Sequence, residues 1–66
     1  MKNREKFLKI YANLPLGLRN EIVVSLDNEP LTWNSAYIEV VNDTPKGKEI
    51  LIKLVDMEII KNDKQG

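Results

Sequence analysis

Sixty-six residues, 42% hydrophobic and 30% charged, with ten Lys or Arg against ten Asp or Glu, describe one small folded domain of zero formal net charge. That balance gives no drive toward nucleic acid, an anionic membrane or an acidic substrate. With neither His nor Cys, the chain has no disulfide, no zinc site built from those ligands, and neither of the two commonest catalytic side chains.

The first helix is expected over Asn3–Asn13. Phe7, Ile10, Tyr11 and Leu14 follow the three-to-four spacing of one apolar face. Lys2, Lys6 and Lys9 fall on the opposite face, and Glu5 can pair with Lys9 one turn on. Pro15 ends the helix, because a residue before Pro avoids helical angles. The connector Leu14-Pro15-Leu16-Gly17-Leu18 is unusually apolar, and is expected to lie against the core or line a groove.

Glu21–Leu26, EIVVSL, is rich in β-branched residues and reads as a strand with Ile22, Val24 and Leu26 on one face. Asp27-Asn28-Glu29-Pro30 reads as a turn, after which Leu31-Thr32-Trp33 can return as a second strand. The turn lacks the Asn-Gly pair of the tightest hairpins, so the pattern leaves the register open. Thr32 or Asn34 can cap a second helix, whose apolar face is Trp33, Ala36, Tyr37, Val40 and Val41, with Ile38 off that face. Asn42-Asp43 ends it.

Thr44-Pro45 is the strongest local signal. Thr accepts a hydrogen bond from a first-turn amide, and Pro at the first helical position loses none. The third helix that follows is apolar over about 220°, through Met57, Ile50, Leu54, Leu51, Val55 and Ile52, where one packed face needs little more than about 100°. It is either central to the fold or partly turned toward another molecule. Ile59-Ile60 can add a short strand, and residues 61–66 read as a frayed polar tail. The fold expected is α+β, one small domain over residues 1–60, in the order helix, β-hairpin, helix, helix, with a possible short C-terminal strand. Its expected core is Phe7, Ile10, Tyr11, Leu14, Ile22, Val24, Leu26, Trp33, Tyr37, Val40, Ile50, Leu51 and Leu54.

Charge is unevenly spread. Residues 1–19 carry Lys2, Arg4, Lys6, Lys9 and Arg19 against Glu5, whereas residues 20–45 carry Glu21, Asp27, Glu29, Glu39 and Asp43 and no cation. The basic segment is expected to dock on the acidic one within the chain, where effective concentration is high.

The motifs that carry chemistry are missing. Asp27 and Glu29 read as turn solvation rather than an acid–base pair, and Ser25 and Ser35 have no neighbouring base in sequence. Gly17 and Gly47 stand outside any phosphate-loop frame. Lys46-Gly47-Lys48 opens a helix but reads as a close-packing Gly between solvated lysines. Asp27, Asn28, Glu29 and Asp43 lack the spacing of a calcium loop. No stretch approaches transmembrane length, and the N-terminus lacks the apolar run of a signal peptide.

The expectation is therefore a non-enzymatic, cytoplasmic protein-interaction module, most simply a homodimer, with no cofactor, metal, membrane or small-molecule ligand. Ile52, Val55, Leu16 and Leu18 are the candidate interface. The alternative is a small nucleic-acid-binding or regulatory protein using Lys2, Arg4, Lys6 and Lys9 on the first helix. Against it, the second helix has no Lys or Arg, and a helix-turn-helix built from the second and third helices would read with an apolar face.

Overall fold

A computed structural model describes residues 2–61, with residue 2 as backbone only. The order is α1 (Lys2–Ala12), a 3-10 helix (Leu16–Asn20), β1 (Ile22–Leu26), β2 (Glu29–Thr32), α2 (Trp33–Val41) and α3 (Pro45–Asp56). This is the expected α+β arrangement of three helices and one antiparallel hairpin. No C-terminal strand forms at Ile59–Ile60, and residues 62–66 of the expected polar tail lie outside the described residues.

The hairpin is tighter than the expected four-residue turn. Asp27 and Asn28 both take positive φ, 51° and 68°, and Leu26 pairs with Glu29 across them. Two left-handed residues make the two-residue turn whose twist suits a hairpin, and Asp and Asn tolerate that conformation best after Gly. Glu29 and Pro30 therefore belong to β2, and Trp33 belongs to α2 instead of the strand. Pro30 is tolerated because a two-stranded sheet has only edge strands.

Ile22 departs from the expected core and is 61% exposed. The register slips between Ile22 and Val24: Ile22 faces Thr32 and Val24 faces Leu31, so Val23 is an extra residue in β1. Such a bulge breaks the alternation of faces. Val24 and Leu26 stay buried, Val23 is half-buried, and Ile22 turns outward.

Both α2 and α3 start on a Thr cap. The Ser35 amide donates to Thr32 Oγ1 at 3.1 Å, and the Gly47 amide donates to Thr44 Oγ1 at 2.9 Å. The Thr44 hydroxyl in turn donates to the Glu39 carboxylate at 2.6 Å, tying the end of α2 to the start of α3. Thr44→Ala should cost about 1–2 kcal/mol, the upper part of the range for a lost cap, because two hydrogen bonds go at once. Urea titration is the check; an unchanged midpoint would mean that the cap contributes nothing.

The two helices also end alike. At α2, the Asp43 amide donates to Val40 O and the Thr44 amide to Glu39 O; at α3, the Glu58 amide donates to Val55 O and the Ile59 amide to Leu54 O. This is the Schellman pattern, which wants a left-handed residue just past the helix. Gly is usual there, yet Asp43 (φ 56°) and Glu58 (φ 62°) fill the two positions. Glu58 is exposed. Glu58→Gly should therefore stabilise the domain by a few tenths to about 1 kcal/mol, the relief of left-handed strain less the entropy of Gly in the unfolded chain. A lower melting temperature for that variant would contradict this account of the turn.

Gly47 does a different job. A Cβ there would lie 2.4 Å from the Glu39 carbonyl oxygen and 2.7 Å from its carbon, so α2 and α3 cross with backbone nearly touching backbone. Close helix packing is what the lone Gly provides.

The turn after α3 brings Ile60 back into the core, where it is buried with Ile50, Leu51 and Leu54. Leu31 and Ala36 are also buried, beyond the expected set. Ile10, Tyr11, Leu14, Trp33 and Tyr37 are half-buried rather than fully inside. All four aromatic residues form one stack. Trp33 lies on Phe7 with centroids 5.8 Å apart, Phe7 on Tyr11 at 6.4 Å, and Tyr11 on Tyr37 at 4.2 Å.

Candidate interaction surface

The basic side chains of the first segment have intramolecular roles. Arg4 donates from Nε to the Val40 carbonyl and from Nη2 to the Val41 carbonyl, both at 3.3 Å. These are last-turn carbonyls of α2, where a cation also meets the negative end of the helix dipole. Lys6 Nζ donates to the Lys61 carbonyl at 2.8 Å and so anchors the segment after α3. Lys9 is exposed, and the side chain of Lys2 lies outside the described residues. Arg4 thus docks the basic segment on residues 20–45, through helix-end carbonyls rather than through a side-chain ion pair.

Arg19 closes a second network. Its guanidinium carbon stands 4.3 Å from the Tyr11 ring centroid, and Nη2 donates to the Tyr11 carbonyl at 3.1 Å. Tyr37 is as close to the same ring, and two groups cannot occupy one face at that distance, so Tyr11 is held between them. The Tyr11 hydroxyl donates to Asn34 Oδ1 at 2.6 Å, and Asn34 Nδ2 donates to Asn20 Oδ1 at 2.9 Å. Arg19 Nε is buried without a hydrogen bond, and the π face of Tyr11 is its nearest compensation.

These contacts pin the 3-10 helix to α2 through polar and π interactions, with none of its residues buried. The apolar connector therefore does not reach the core as expected: Leu16 is 75% exposed and Leu18 is also exposed. The aromatic stack already fills the space between α1 and α2. Sequence reasoning missed this network because Arg19, Asn20 and Asn34 follow no periodicity; only the juxtaposition of α1 and α2 unites them.

On α3, the surplus of apolar arc is real. Ile50, Leu51 and Leu54 are buried, Val55 is half-buried and packs against the core, and Ile52 and Met57 are exposed, Ile52 by 63%. Val55 is thus largely a support, and Ile52 is the member of the expected pair that faces outward. Around Ile52 lies an open groove of about 450 Å³, lined by Leu26 and Asp27 of the hairpin and by Glu49, Ile52, Lys53 and Asp56 of α3. The four α3 residues repeat at three and four, so they form one stripe along the helix. Leu16 and Leu18 belong to the 3-10 helix, which packs against α2, so the residues of the expected interface fall on two separate elements.

Nearby, Lys46 Nζ pairs with Glu29 Oε1 at 3.2 Å on the surface. That hydrogen bond and the charge of Glu29 raise the pKa of Lys46. Among the described residues, no three acidic side chains come together to hold a metal, and no helix is long and apolar enough to cross a membrane. No protein-family model matches the chain, and no curated protein or solved structure is significantly similar to it.

Proposed function

We propose that this chain is a small non-enzymatic interaction module that self-associates, with Ile52 at the centre of the contact. One observation carries the reading: a β-branched apolar side chain in mid-helix, 63% exposed, beside a groove with an apolar wall at Leu26. The charges of Asp27, Glu49, Lys53 and Asp56 rim this apolar contact and would leave it open to a partner. Size argues the same way, since a domain below about 70–80 residues without a disulfide often gains stability from a partner. A cytoplasmic setting is compatible with the lack of Cys, and no cofactor is required. Nucleic-acid binding along α1 is less favoured, because Arg4 and Lys6 direct donors to the chain's own carbonyls.

Light scattering across protein concentration is the test. The mass is expected to rise above that of one chain, and Ile52→Lys should return it to one chain while the far-UV spectrum stays native. A wild type that remains monomeric at high micromolar concentration would refute the proposal.

A further inference from the structure

The two edges of the hairpin are not equivalent. Ser25 pairs with Pro30, and Pro has no amide hydrogen. In a hairpin closed by a hydrogen-bonded Leu26–Glu29 pair, the next pair directs its backbone groups outward. The Ser25 N–H and C=O therefore point away from β2. Ser25 is exposed, and among the described residues its backbone makes no hydrogen bond beyond the hairpin. The outer edge of β2 lacks the Pro30 donor and carries Glu29, two usual guards against strand addition. β1, Ile22–Leu26, carries no charge and no Pro. Its bulge at Val23 limits the regular stretch to Val24–Leu26.

The second feature is the position of α3. It packs against β1, and its stripe of Glu49, Ile52, Lys53 and Asp56 borders the groove at the Leu26 end of that strand. A strand added beside β1 would run past the Leu26 end, where this groove and Ile52 lie.

Resting on the self-association just proposed, we infer that the occupant is β1 of a second copy, paired antiparallel about a twofold axis normal to the sheet. That operation satisfies two identical edges with each other. It keeps both α3 helices, and with them both Ile52 side chains, on one face of the joined sheet. Two marginal hairpins become one four-stranded sheet, within the usual stable range. The outer edges left over are the two β2 strands with Pro30, so assembly closes at two copies. The strand pair is short, so it needs the apolar contact of Ile52 beside it. Asp27, Glu49 and Asp56 outnumber Lys53 at the rim, so like charges approach and added salt should tighten the dimer.

Two measurements test the pairing. The first is amide hydrogen exchange of Ser25 in the wild-type protein at concentrations below and above the dissociation midpoint. Its amide should exchange freely in the monomer and become protected as the dimer forms. The second is Ser25→Pro, which removes a donor that the hairpin itself does not use; it should raise the dissociation constant by about tenfold or more while the fold persists. A wild-type dimer whose Ser25 amide exchanges freely at every concentration would overturn the edge pairing and leave self-association standing. A wild type that never dimerises would overturn both. If Ser25→Pro fails to fold, the exchange measurement decides alone.

Discussion

Phe7→Ala is expected to leave most of the protein unfolded at room temperature in dilute solution. Phe7 has no exposed surface and lies against both Tyr11 and Trp33. Emptying a buried Phe site costs about 3–5 kcal/mol through lost transfer free energy and the cavity left behind. A single core in a domain of this size rarely supplies more than about 3–5 kcal/mol. The two figures are equal, so the folded state loses its margin. The measurement is a urea titration followed by far-UV circular dichroism. A cooperative transition with a midpoint near that of the wild type would show that the α1–α2 stack is not central to stability.

Trp33→Ala should be the second most damaging change. Trp33 is half-buried, opens α2, and stacks on Phe7 at an interplanar angle of 24°. Its loss is expected to cost about 3 kcal/mol, the low end of the range for a large aromatic, because part of the ring already meets water. The indole is the only one in the chain, so its fluorescence in the wild type reports this junction directly and should be blue-shifted from free indole. Because Phe7 and Trp33 touch, the double substitution should cost less than the two single losses together. Additive losses, or a Trp emitting like free indole, would place Trp33 outside the stack.

The parts of the fold that were legible in the sequence are those determined over a few residues. Thr44-Pro45 marks a helix start because a cap and its amide are three residues apart, and the structure has that bond between Thr44 and Gly47. Phe7, Val40, Ile50, Leu51 and Leu54 were readable as core because helical periodicity sorts side chains by face. Gly47 was readable as a packing residue by elimination, since no phosphate-loop frame surrounds it. For the candidate surface, the excess apolar arc of α3 was visible, and Ile52 is its exposed edge.

What the tertiary structure alone decided depends on residues distant in sequence. Strand alternation places Ile22 inward, and the bulge at Val23 reverses it; a bulge is a property of two paired strands and cannot be read from one. The Ile59-Ile60 pair reads as a strand, but the left-handed turn at Glu58 carries Ile60 into the core beside α3, and nothing local signals that a Glu will adopt the conformation usual for Gly. The apolar connector stays outside: Arg19 and Asn20 fasten its 3-10 helix to Tyr11 and Asn34, and Leu16 and Leu18 are exposed. Sequence by itself determined the three α-helices, the first strand of the hairpin and the Thr44 cap that starts α3, since those are decided by hydrogen bonds and sterics within a few residues, but not the 3-10 helix over Leu16–Asn20 or the place of Trp33 in α2. The partners of Arg4 and Arg19, the side of α3 left bare, and the open edge of β1 were decided only when the elements packed, because each is set by which neighbours compete for the same space.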